Sequence, residues 1–398
     1  MATRTPAEVF PPGVFIAEEL EARGWSQIEL ADILGRPTRL VSELIAGKRA
    51  VTPETARGLG AAFGTGPQFW MNLERYHQLS HAGHDDMVVQ RRAHLYSKAP
   101  VKEMIKRGWI VPSGNIDVLE KRVKDFFEIE NIDDEPALAH AARKRDYSTC
   151  SPAQWAWLFR VMQIARQMTV PDYSESALRS ALATLEQLLA APQEARHVPR
   201  ILAECGVRFV LVERLPHGNL DGVCCWLNPQ SPVIGMSLRR DKIDNFWFVL
   251  RHEIEHVLRR DGVDGWMIDS DLEGARAGTG DDLPEEERLA NRAAAEFCVP
   301  GDRLASFLKR KHPFYYERDV VAFAKLLNRH PGLIVGQMQF RLNNYSYLTK
   351  YLVRIRSIVL PEATADGWGH TPPLHGLSAA YFFSSLNPQF SFRLSVLP

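Results

Sequence analysis

The stretch Ser26 to Arg49, SQIELADILGRPTRLVSELIAGKR, decides how the first part of this 398-residue chain is read. Ser26 and Glu29 stand at the spacing of a capping box, in which the serine oxygen and the glutamate each satisfy a backbone donor left free at a helix start. Ile28, Leu30, Ile33 and Leu34 are the apolar positions of that helix, and Ala31 is small where two helices must approach. Gly35 supplies a turn, Pro37 starts a second helix with Val41, Leu44 and Ile45 toward the core, and Gly47 ends it. Two helices joined this tightly form a helix-turn-helix, whose second helix is built to enter a major groove.

Working outward, Thr52-Pro53 marks another helix start, and Gly64-Thr65-Gly66-Pro67 separates that helix from one with Phe69, Trp70, Leu73 and Tyr76 at helical spacing. The pattern S-Q-x-x-L-A-x-x-L-G-x-P-x-x-x-x-S-x-x-x-x-G-K-R resembles the phage-repressor-type helix-turn-helix, and most of all its variant in HigA-type antitoxins. Residues 52–79 extend the likeness, so that it covers roughly 10–80. The resemblance implies operator DNA as a partner, with a cognate toxin as a second. Gln27 and the start of the second helix (Thr38, Arg39, Ser42) then face DNA, with Arg39 suited to guanine edges, while Lys48 and Arg49 hold phosphates. A homodimer would double these contacts. Leu40 stands where a polar residue is expected.

Charge works against this surface. Between Val14 and Arg57 there are six Lys/Arg and seven Asp/Glu, so the module is about neutral, although phosphate attraction supplies most non-specific affinity. Met87 to Lys124, with nine Lys/Arg against three Asp/Glu, could compensate or could be a solvated helical face. The whole chain carries 48 basic and 48 acidic residues, so bulk charge selects no partner. The five cysteines include no C-x-x-C pair and suggest small buried side chains in a reducing compartment. Met1 to Pro12 has no apolar signal stretch, and runs such as Phe246 to Leu250 are too short to span a bilayer, so a cytoplasmic protein is expected.

Residues 81–195 read as mostly helical. His81 to Asp86 is a polar linker, Ser151 and Gln154 form a second capping box, and Leu178 to Leu189 is amphipathic. After Pro199 the character changes. Arg208 to Val212, Gly222 to Leu227 and Val233 to Leu238 are strand candidates, punctuated by Gly218, Asn228-Pro229 and Ser231-Pro232. Asp241 is placed to cap a helix over about 242–260 that carries His252-Glu253-Ile254-Glu255-His256. Positions four apart share a helix face, so His252 and His256 can point at one ion, with Glu253 beside them to take a proton. Glu255 points away. A polar loop, Asp261 to Asp282, follows, and Pro284 opens another helix that ends before Pro300.

In that helix, Glu287-Arg288-Leu289-Ala290-Asn291 continues into Arg292-Ala293-Ala294-Ala295-Glu296-Phe297. It resembles the E-x-x-A-N-x-x-A-A-E element of ImmA/IrrE-type metallopeptidases, and the upstream strands through RHEIEH resemble that family too. The resemblance implies Glu287 as third ligand beside His252 and His256, one Zn2+ per chain, Glu253 as catalytic base, and Asn291 hydrogen-bonding a ligand histidine. Glu285 and Glu286 compete with Glu287, and Glu296 lies half a turn away. His217 is a lone loop histidine. His370 and His375, in a Pro/Gly-rich stretch, read as surface residues.

The expected organisation is multidomain: an all-α helix-turn-helix domain over 1–80, a mostly helical middle region over 81–195, and an α+β zincin-like metallopeptidase domain over 196–345. A tail over 346–398 has no assigned structure, although the antitoxin-like likeness continues to about Pro373. The functional expectation is a transcription-regulating antitoxin of a toxin–antitoxin system, with a hydrolase domain that cleaves a regulatory protein or the chain itself. The alternatives are a non-proteolytic antitoxin whose zinc domain senses or docks, and a peptidase whose N-terminal module docks protein rather than DNA.

Overall fold

In a computed structural model, described over residues 10–81, 86–134, 150–263, 267–269 and 284–370, the chain divides into two compact units at His94 and Leu95. The first unit holds α1 (Pro12–Arg23), α2 (Gln27–Leu34), α3 (Thr38–Ile45), α4 (Pro53–Phe63) and α5 (Pro67–His81). Ile16, Leu30, Val41, Leu59 and Trp70 fill its core. The capping box at Ser26 forms as read, with Glu29 N–H donating to Ser26 Oγ and Ser26 N–H donating to Glu29 Oε2. Gly35 takes a left-handed conformation at φ 60°, which glycine adopts without Cβ strain, and turns the chain from α2 into α3.

Two of the four large apolar positions of α2 do not enter the core. Ile28 is 62% exposed and Ile33 50%, while Leu30 and Ala31 are buried and Leu34 half-buried. At about 100° per residue, 30, 31 and 34 define one stripe, and 28 and 33 fall beyond its two edges. Leu40, by contrast, packs half-buried against the core.

The helix α6 (Asp86–Lys98) spans the division between the units. The second unit continues through α7 (Val101–Lys106), α8 (Ile116–Phe127), α9 (Pro152–Gln167), α10 (Glu175–Leu188) and α11 (Val198–Glu204). The strands β1 (Arg208–Val212), β2 (Gly222–Trp226) and β3 (Pro232–Met236) follow, then α12 (Ile243–Arg259), β4 (Met267–Asp269), α13 (Glu285–Cys298), α14 (Gly301–Lys311), α15 (Glu317–Leu326), α16 (Pro331–Leu342), α17 (Arg356–Val359) and β5 (Thr364–Asp366). The sheet order is β4-β2-β3-β1-β5. β1 runs parallel to β3 and β5, and β2 antiparallel to β3 and β4.

Alternate residues of these strands enter two different cores. Phe209, Leu211, Cys224, Ile234 and Met236 meet α10, α11, α12 and the helices from α13 onward. Val210, Val212, Val223, Cys225 and Val233 meet α7, α8 and α9. The sheet is therefore buried on both faces, and this explains its nearly continuous apolar strands. It also changes the organisation read from sequence. The helices of 81–195 from Leu95 onward do not stand apart from the domain at 196; they cover the sheet, because each needs an apolar face to bury its own. Residues 346–370 are not all tail either, since β5 forms one edge of the sheet.

A buried ion pair holds that edge. Arg160 on α9 binds Asp366 of β5 through Nε and Oδ2, and Trp109 Nε1 donates to the same oxygen at 3.1 Å. Asp241 does not cap α12, whose N-cap is Lys242 without a side-chain bond. Its carboxylate instead accepts the Ile355 and Arg356 N–H groups at 2.9 and 2.8 Å, tying in the approach to β5. The polar loop of 261–282 beyond residue 263 (the 267–269 strand excepted), most of the 81–86 linker, His375 and the stretch 374–398 lie outside the described residues. Asp366→Ala is expected to destabilise the second unit by roughly 3–5 kcal/mol, because it strands the Arg160 charge in the interior. Chemical denaturation checks this, and a loss below about 1 kcal/mol would show that the pair does not hold the edge.

Candidate DNA-reading surface and metal centre

All six DNA-facing candidates, Gln27, Thr38, Arg39, Ser42, Lys48 and Arg49, are exposed, brought together by α2, α3 and the residues after α3. Two of their charges are paired within the unit while staying exposed. Glu43, one turn after Arg39, accepts from Arg39 Nε at 2.7 Å and lies 3.4 Å from Arg49 Nη1. The Arg39 hydrogen bond, aided by the Arg39 and Arg49 charges, holds the Glu43 carboxyl below its ordinary value, and the same bond with the Glu43 charge holds the Arg39 guanidinium above its own. Arg23 pairs with Glu19 and Arg36 with Glu54. Lys48 and Arg57 are left as the module's cations outside an ion pair among the described residues. Several cations of the basic stretch 87–124 have partners of their own. Lys98, Lys106, Lys121 and Lys124 pair with Asp133, Glu103, Asp125 and Glu120, and Arg107 and Arg122 donate to backbone carbonyls.

In the second unit, α12 lies on the sheet and against α13, with Phe246, Trp247, Leu250, Ile254 and Val257 buried. This packing fixes the helix face that carries His252, Glu253 and His256, all wholly buried. Glu287, in the first turn of α13, is also buried and reaches both rings: its Oε2 lies 3.3 Å from His252 Nε2 and its Oε1 3.6 Å from His256 Nε2. The two Nε2 atoms are 2.9 Å apart. Ligands at the usual zinc distances would stand roughly 3.4 Å from one another around a tetrahedral ion. Two imidazoles and one carboxylate at these separations are a donor set that could hold such an ion.

Glu253 faces β2. A Cβ on Gly222 would collide with Glu253 Oε1, so a larger residue at 222 would displace the carboxylate. Neither Glu285 nor Glu286 joins the cluster of donor atoms formed by His252, His256 and Glu287; Glu285 is exposed, Glu255 pairs with Arg251 at 2.8 Å, and Glu296 accepts the Gly301 N–H at 2.9 Å. Asn291 is half-buried and makes no hydrogen bond to either imidazole among the described residues. The group on the outer nitrogen of His256 is Asp261, whose Oδ2 lies 3.0 Å from Nδ1. In sequence Asp261 only opens the polar loop after the helix, and nothing there marks it for this role. His217 and His370 are exposed. Cys205, Cys224, Cys225 and Cys298 are buried and form no disulfide among the described residues, and burial pushes the Cys225 thiol well up.

The first unit, two helices joined at a left-handed glycine with an exposed second helix, defines a helix-turn-helix module. The family described as Helix-turn-helix matches residues 16–70. An HTH-type transcriptional regulator of Escherichia coli K12, YddM, is 37% identical over 71 residues, which cover 18% of this chain and 76% of the relative. Virulence-associated protein A' of Dichelobacter nodosus is 34% identical over 73 residues, covering 18% of this chain and 64% of the relative. A solved structure from Coxiella burnetii, described as an addiction module antidote protein of a HigA family, is 38% identical and covers 18% of this chain and 80% of that one, with a TM-score of 0.18. Through its first unit, the chain belongs to the helix-turn-helix family of DNA-binding regulators.

Glu43→Gln removes a carboxylate from the DNA-facing surface and releases Arg39 and Arg49. Full-length Glu43→Gln protein is expected to bind duplex DNA several-fold more tightly, with a salt slope steeper by up to about 0.9 for each phosphate newly neutralised. Fluorescence anisotropy across a salt series reads both quantities; an unchanged slope would mean the two arginines do not reach phosphate.

Proposed function

We propose that this protein is a DNA-binding antitoxin-type regulator whose second unit is an ImmA/IrrE-type, zincin-like zinc metallopeptidase. The carrying observation is the convergence of His252, His256 and Glu287 from two packed helices, with Glu253 on the same helical turn. A zinc ion held by these three would lower the pKa of a bound water toward neutrality and polarise a carbonyl. The chain's own part is then divided. His252, His256 and Glu287 orient the ion, α12 and the sheet exclude bulk water, and Glu253 accepts a proton at its carboxylate and passes it to the leaving amine.

The antitoxin part of the reading rests on the motif across residues 26–49 and its extension to 79. Operator DNA, a cognate toxin and a homodimer spanning two half-sites are the partners it entails. Among the described residues no helix is long and apolar enough to cross a membrane, in keeping with action beside DNA in the cytoplasm. A protease tethered to a DNA reader places cleavage of a regulatory protein, or of the chain itself, next to the promoter it controls.

One observation favours a second reading, in which the zinc unit senses or docks without cleaving. His252, Glu253 and His256 have no exposed surface, whereas a hydrolytic site needs one open ligand position. The two readings part on three measurements. Wild type is expected to hold one zinc per chain, and His252→Ala and Glu287→Ala to lose it. Glu253→Gln is expected to keep its zinc and its binding to upstream DNA while losing cleavage of a co-expressed toxin. Equal cleavage by wild type and Glu253→Gln removes the catalytic role, and zinc with no cleavage by either selects the sensor. Retention of zinc by Glu287→Ala moves the third ligand elsewhere.

A further inference from the structure

We propose that Asp261 is the positioning residue of the metal centre, holding His256 in the tautomer that turns a bare Nε2 toward His252 and Glu287. A clamp between the end of α12 and β2 fixes Asp261 in turn. The proposal rests on the zinc reading above.

The device begins with how α12 stops. Arg260 adopts a left-handed conformation at φ 59°, at a position where glycine is the usual residue. That conformation doubles the chain back, so that Asp261 N–H donates to His256 O at 2.9 Å and the Asp261 side chain comes to lie beside the imidazole one turn earlier. Asp261 is buried, and its Oδ2 meets His256 Nδ1 at 3.0 Å. An ionised carboxylate can only accept, so Nδ1 must carry the proton and the Nε2 lone pair is left for a ligand. Asn291, the residue expected from sequence in this part, could have presented either end of its amide; a carboxylate permits one tautomer.

The β2 side supplies the second half. Trp226 Nε1 donates to Asp261 O at 2.9 Å, and Cys224 Sγ lies 3.7 Å from the same oxygen. Arg260 stacks its guanidinium 4.9 Å from the Trp226 ring centroid and donates Nη2 to Pro229 O at 2.7 Å, in the turn between β2 and β3. The guanidinium of this left-handed arginine is thus held by two contacts, both on the β2–β3 side. Arg259 Nε lies 3.4 Å from the same Asp261 Oδ2 and gives that oxygen a second partner. A metal ligand, its hydrogen-bonded carboxylate and the strand beneath are thus joined in one unbroken series, each link of which limits rotation of His256.

Outer hydrogen-bond partners of ligand histidines typically govern metal affinity by about 10- to 100-fold. The test uses the full-length chain and zinc alone, with affinity read by competition against a chromogenic chelator. Asp261→Ala is expected to weaken zinc by about that factor. Asp261→Asn, whose carbonyl still accepts, should recover most of it, and Trp226→Phe, which keeps the ring and removes the donor, should lose several-fold. A second readout needs no metal: long-range nitrogen–proton spectra of histidine-labelled protein should show His256 protonated at Nδ1 in wild type and as a tautomer mixture in Asp261→Ala. If Asp261→Ala fails to fold, the Asn and Phe variants carry both measurements. Zinc bound equally by wild type and all three variants overturns this proposal and leaves the zinc reading standing. No zinc in wild type overturns both. A His256 protonated at Nε2 in wild type overturns this proposal alone.

Discussion

Everything in the second unit depends on one helix being buried along its length. α12 offers Phe246, Trp247, Leu250, Ile254 and Val257 to a core shared by the sheet and by α13. Its remaining face has room for polar residues only where another element meets it. His252, Glu253 and His256 occupy that room, and Glu287 and Gly222 are what they meet. The side chains that could grip an ion are therefore set by the same contacts that hold the fold together. A site built this way gains precision from rigid elements, which loops do not provide. The same burial keeps solvent from reaching the three residues on α12.

Most of the central elements were legible in the sequence. The three strands at 208–212, 222–226 and 232–236 appear within a residue or two of their reading, and so do α12 and α13. The capping boxes at Ser26 and Ser151 form as their spacing indicates. The three-residue strands β4 and β5 were missed, being too short for any periodicity to register. Asp241 and Asp366 illustrate a different limit. Each lies more than a hundred residues from its main partner, and a carboxylate beside a helix start looks the same in sequence whether it caps that helix or ties down a distant segment. Asp261 escaped for a related reason: its role comes from a left-handed turn at an arginine, where sequence gives no cue. Ile28 and Ile33 show that an apolar residue in an amphipathic helix is not thereby a core residue.

The helix-turn-helix unit leaves the six residues proposed to face DNA exposed and pairs two of them, Arg39 and Arg49, with Glu43. Glu19, Glu43 and Glu54 each hold an arginine of the same small unit. Contacts of this sort are weak in water and are readily exchanged for phosphate. Two copies on adjacent half-sites would suit a surface paired in this way better than one.

The edge strand β5 has a consequence in time as well as space. The helix-turn-helix unit is complete once the first ninety-odd residues have been made. The sheet of the second unit, however, lacks its last parallel neighbour until the ribosome has passed Asp366. Pairing that joins residue 210 to residue 364 must await almost the whole chain, and such distant closures are slow. A nascent molecule thus possesses a folded DNA-reading head well before its larger body can close. A chain cut short before β5 would keep the first property and lose the second.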